Sequence, residues 1–148
     1  MLFFGCQKES EKEQLQDVKV ISGSHSDCLG SKSARIVDSG ELYVVKAIGG
    51  NNYLIEHQNA NFNCCLPEGI AFVAEMSNDT LFFTDYEKVA GNCKCMCTYN
   101  TSAEIGEIEE GNYTLCLTTG ESFVGSVQLN FKSDMYVEIS VSELIESL

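Results

Sequence analysis

The chain has 148 residues, 44% of them hydrophobic, and carries 22 acidic against 9 basic side chains for a formal charge of −13. That length supports one domain with a real core, and the single proline, Pro67, argues against wholesale disorder. The acidic balance speaks against nucleic acid or anionic lipid headgroups as the main partner, and no window approaches the length of a transmembrane helix.

At the N-terminus, Met1 to Cys6 reads MLFFGC and is followed at once by QKESEKEQLQD. An apolar pair, a small residue and then cysteine resembles the lipobox of bacterial lipoproteins, in which the cysteine becomes the acylated first residue. On that resemblance Cys6 is the lipidation site, and Gln7 to Ser10 with Glu11 resembles the acidic export tags of Bacteroidetes surface lipoproteins. A charged n-region and most of an apolar h-region are missing before Cys6, so the expected true start lies upstream or the chain was trimmed. Residues 1–17 are then a lipobox-like start and a flexible acidic tether, and residues 18–148 a single domain. Buried CH₂ groups of the acyl chains would supply the anchoring.

Val18 to Ile21 is the first strand, followed by a small polar loop that holds Cys28. Ala34 to Val37 reads as a short strand. Leu42 to Ile48 is a strand, and Gly49-Gly50-Asn51-Asn52 is a hairpin signal before Tyr53-Leu54-Ile55. Asn59, Asn61 and Asn63 crowd a turn-prone stretch that leads into Cys64-Cys65. Ile70 to Met76, Thr80 to Thr84, Tyr113 to Thr118 and Ser122 to Phe131 follow as strands. Met135 to Val141 alternates, with Met135, Val137, Ile139 and Val141 inward, and Ser140 with Glu143 forms a capping-box signal for a terminal helical turn. About eight or nine short strands with little helix predict an all-β antiparallel sandwich of Greek-key or immunoglobulin-like type.

Eight cysteines are many for a cytosolic chain of this size and point to an exported protein. Cys93, Cys95 and Cys97 alternate with Lys94 and Met96, so an extended strand would put three thiols on one face. Residues two apart on a strand are about 7 Å apart at Cα, at the limit of disulfide geometry, so the three need partners elsewhere. Cys64 and Cys65, if extended, point to opposite sides, and at most one of them faces the trio. With Cys6 lipidated, seven thiols remain and cannot all pair within one chain. Disulfides rank first among the readings and buried core thiols second. Third comes a thiolate site for zinc or copper built from Cys93, Cys95, Cys97 and Cys64 or Cys65. No cofactor is otherwise expected.

Nothing in the chain announces catalysis. HExxH, GxSxG, Walker A and GxGxxG are absent. His25, in a polar loop, and His57, ending a strand, read as surface residues, and Glu107, Glu109 and Glu110 as a solvated loop. Asn78, Asn100 and Asn112 open N-x-[ST] sequons, which count only in a eukaryotic secretory chain. Asp79-Thr80-Leu81 resembles the Bacteroidetes O-glycosylation acceptor.

Together, MLFFGC, the acidic tag and CKCMCTYNTSAEIGEIEEGNYTLCL resemble small uncharacterised lipoproteins of gut Bacteroidetes with a CxCxC strand. The resemblance covers the first eleven residues and Gly91 to Leu117, and it implies a β-sandwich at the outer membrane or cell surface, without an activity. The expectation is a lipid-anchored, monomeric envelope module that binds a glycan, a peptide or an envelope protein, or serves a structural role. The alternative is a metal-binding or redox lipoprotein using the clustered cysteines.

Overall fold

A computed structural model describes Cys6, residues 16–32 and residues 40–146. The acidic tether to residue 15 and the expected strand at Ala34 to Val37 lie outside the described residues. The strands are β1 (Gln16–Asp17), β2 (Lys19–His25), β3 (Gly30–Lys32), β4 (Leu42–Gly49), β5 (Asn52–Asn63) and β6 (Ile70–Ser77). They continue as β7 (Thr80–Glu87), β8 (Met96–Gly106), β9 (Gly111–Thr119), β10 (Ser122–Phe131) and β11 (Tyr136–Ser140), and one short helix, α1 (Val141–Glu146), follows.

These strands form two sheets, ordered β1-β6-β7-β9-β10 and β11-β4-β5-β8-β2, with β3 continuing β2's side of β8. All neighbours are antiparallel except β7 and β9, which run parallel with Leu81 beside Leu115 and Phe83 beside Leu117. This is an all-β sandwich. Alternation drives it. On β5, Tyr53, Ile55 and His57 point inward while Leu54 and Glu56 stay half-exposed, as a period of two requires. The inner faces meet in one core that contains Tyr43, Val45, Ile55, Phe83, Ile105 and Phe131. Tyr53 and Tyr113 both meet the Phe131 ring edge-on, at 4.9 and 5.4 Å between centroids, a favoured aromatic geometry.

A smaller cluster of Ala60, Phe62, Ile70, Cys97 and Tyr99 fills one end of the sandwich, with Cys64, Leu66 and Phe72 packed against it. Of the turn-prone asparagines, Asn59 and Asn61 do not end β5, which runs on to Asn63. The strand instead absorbs Asn59 as an irregularity with φ of 59° and a register shift between His57 and Ala60. Asparagine tolerates that left-handed conformation better than most residues, so the chain bends without breaking the ladder. At the C-terminus, Met135, Ile139 and Val141 are buried as expected. Leu144 of α1 then packs so close to Gly125 that a Cβ there would lie 2.9 Å from the leucine Cβ.

Candidate functional site

All eight cysteines are joined in four bridges, Cys6–Cys116, Cys28–Cys97, Cys64–Cys95 and Cys65–Cys93. No thiol is free. This corrects the expected odd thiol and the core-thiol reading. A disulfide and a lipid thioether use the same sulfur, so a chain bridged at Cys6 is not anchored through that residue, and a chain acylated there leaves Cys116 without this partner.

The expected one-face trio does not exist, because β8 begins only at Met96. Cys93 and Cys95 sit in the loop before it, and Cys97 turns inward to meet Cys28. Cys64 and Cys65 lie beyond the end of β5, where neighbours need not point to opposite sides, and both reach the second loop.

That loop pair is held by more than sulfur. Asn63 Oδ1 accepts hydrogen bonds from the backbone N–H groups of Cys65 at 2.9 Å and Cys93 at 3.3 Å, while its Nδ2 donates to the Cys93 carbonyl at 2.9 Å. Glu87 accepts from the N–H of Asn63 at 2.9 Å and of Gly91 at 2.8 Å. Gly91 is required here, since a Cβ at that position would overlap the Cys65 carbonyl oxygen.

In mid-sandwich, a buried polar group ties the two sheets. His57 and Asp85 are both fully buried. His57 Nδ1 donates to Asp85 Oδ2 at 2.6 Å and Nε2 donates to Glu41 Oε1 at 2.6 Å. Carboxylates only accept, so both ring nitrogens carry protons and the ring is an imidazolium. Burial pushes its pKa down, but the hydrogen bonds and charges of Asp85 and Glu41 outweigh that and hold it up at about 9.

Further contacts complete this group. Thr119 donates to Asp85 Oδ1 at 2.9 Å, Tyr43 OH lies 3.2 Å from the Thr119 hydroxyl, and the Tyr43 ring stacks on the imidazole at 4.0 Å. Burial, with the charge of Asp85 next, raises the Tyr43 hydroxyl well above the usual tyrosine range. The expected surface position of His57 is therefore wrong, because strand parity sets it with Tyr53 and Ile55. His25, by contrast, is exposed, with its ring edge against Tyr99.

At the tip of the sandwich away from Cys64 and Cys93, the β1–β2 segment and the turns after β4, β6 and β8 enclose a cleft of about 810 Å³. Among the described residues, Asp17, Asp79, Glu107 and Glu109 face it against one cation, Lys19. Asn52 and Asn78 add amides, and Asn52 Oδ1, shielded from solvent, has no hydrogen-bond partner among the described residues. Gly106 lies against that amide, where any Cβ would overlap it. Tyr113 stands in the wall, half-buried against Phe131, its hydroxyl donating to the Glu109 carbonyl at 2.7 Å.

A second hollow of about 530 Å³ adjoins the first through Asp79 and Tyr113 and adds Asn112, Gln128 and Asn130. The glutamates expected as a solvated loop are exposed, as predicted. Their place in the cleft depends on a turn meeting a strand remote in sequence, which no local pattern reveals. With this geometry in view, no protein-family model, curated protein or solved structure matches the chain.

Proposed function

We propose that the chain is an exported cell-envelope β-sandwich that binds a neutral or amine-bearing glycan at the acidic tip cleft. The observation that carries the ligand reading is the composition of the walls: amides and carboxylates around the half-buried Tyr113. Amides offer donors and acceptors together, and carboxylates accept in pairs, which suits vicinal hydroxyls. The tyrosine supplies a rigid amphipathic surface. Among the described residues, four carboxylates against one lysine disfavour anionic ligands.

The envelope location is supported by the complete pairing of the cysteines, which belongs to an oxidising compartment. Membrane attachment through Cys6 is the other fate of its sulfur, and it requires an acylated chain in which Cys116 is not bridged to it.

The test is an array of neutral, amine-bearing and sulfated or uronic-acid oligosaccharides, with hits followed by calorimetry. Hits are expected among the first two classes only. Asp79→Asn or Gln128→Ala should weaken them by about fivefold or more, the loss expected for one hydrogen bond. An array without hits, or hits indifferent to both substitutions, would refute the reading.

A further inference from the structure

The sulfurs of Cys64, Cys65 and Cys93 lie within 4.8 Å of one another although they belong to two different bridges, and the fourth, that of Cys95, is bonded to Cys64. We propose that these four cysteines form a convertible site: two disulfides when oxidised, and a tetrathiolate zinc site when reduced.

The geometry favours zinc because its sites are tetrahedral with thiolates at about 2.3 Å, which sets sulfurs roughly 3.8 Å apart. The Cys64 sulfur already lies within 4.8 Å of both sulfurs of the other bridge. Breaking the bridges lets the bonded pairs relax outward to the tetrahedral spacing.

Proximity alone would mean little if the loops separated once the bridges opened. They are held independently of sulfur. The Asn63 amide binds the backbone of both loops at once, the N–H of Cys64 donates to the Cys95 carbonyl at 3.1 Å, and Glu87 fixes Asn63 and Gly91. Beneath them Tyr99 donates to the Asn63 carbonyl at 3.0 Å. Hydrogen-bonded supports of this kind orient metal ligands and account for much of a site's affinity. All four cysteines are half-buried, so a metal can enter.

The chemistry balances as follows. Each bridge takes two electrons and two protons from an external dithiol, which closes its own disulfide. The four thiols formed then release up to four protons as zinc binds. Cys97 takes no part, because it is buried on β8 facing Cys28 and lies outside the group of three sulfurs.

The experiment titrates cobalt(II), as a coloured probe for zinc, into the full chain kept reduced by a phosphine that does not compete for metal. One equivalent should bind with the visible bands of tetrahedral cobalt thiolate, and zinc should displace it. The oxidised chain should take none. Loss of an outer support costs roughly 10- to 100-fold in metal affinity, so Cys65→Ser or Cys95→Ser should weaken binding by at least about 100-fold, and Cys28→Ser should not. A reduced, folded chain that takes no cobalt would overturn the proposal, as would binding that survives Cys65→Ser or occurs in the oxidised chain. If reduction unfolds the chain, zinc must restore its far-UV β-sheet signal, and a chain that stays unfolded with zinc overturns the proposal equally.

Discussion

Raising the pH from about 6.5 to 9 should weaken this fold, and the cause is one residue, His57. The pKa of His57 is held at about 9 in the folded chain, against about 6.5 when unfolded. A group whose folded pKa is raised contributes stability that is fully present below the unfolded value and lost as pH rises through the folded one. The window is therefore about pH 6.5 to 9, and the slope within it approaches about 1.4 kcal/mol per pH unit, for a total on the order of 3 kcal/mol.

Urea unfolding followed by far-UV circular dichroism at half-unit steps from pH 6 to 9.5 measures this directly. Glu41, whose side chain is 24% exposed at the edge of the network, supplies the control. Glu41→Gln removes one of the two carboxylates that raise the pKa, so the fall should begin at the same pH but end at a lower one and be smaller. Unfolding free energies that stay level from pH 6.5 to 9, or fall identically in Glu41→Gln, would refute the assignment of an imidazolium clasp.

Three further substitutions probe the packing around it. Phe131→Ala, at a fully buried ring that receives Tyr53 and Tyr113, should cost about 3–5 kcal/mol in urea unfolding; a loss below about 1 kcal/mol would show that the ring is not central to the core. Cys28→Ser opens a bridge spanning 69 residues, and the chain-entropy model sets its contribution at no more than about 4.4 kcal/mol. An unchanged urea midpoint under oxidising conditions would show that the bridge does not form. Gly91→Ala drives a Cβ onto the Cys65 carbonyl oxygen and should cost about 1–3 kcal/mol, visible as a lower thermal midpoint; an unchanged midpoint would contradict the close approach of the two loops.

The strands were legible in the sequence because period-two alternation and turn residues are local signals. Leu42 to Ile48, Ile70 to Met76 and Met135 to Val141 fall within a residue or two of β4, β6 and β11 with the first turn of α1. The parallel pairing of β7 with β9 was not legible, since it is set by which sheet the intervening β8 joins. Cys93 and Cys95 misled because alternation with Lys94 and Met96 imitates a strand, whereas the loop geometry there is dictated by Asn63 and Glu87. His57 was readable in principle, from its parity with Tyr53 and Ile55. Its partners Asp85 and Glu41 were not, because a cation with two carboxylates across two sheets leaves no spacing to recognise. The tip cleft failed to show for the same reason: its walls come from four separate connections.

The most direct measurement is the intact mass of the natively purified chain with and without reduction, followed by mapping of the linked peptides. Four bridges predict a rise of about 8 Da on reduction, about 2 Da for each. The linked peptides should pair Cys6 with Cys116, Cys28 with Cys97, Cys64 with Cys95 and Cys65 with Cys93. A smaller rise, different partners or an acyl-thioether mass on Cys6 would contradict the four-bridge clasp.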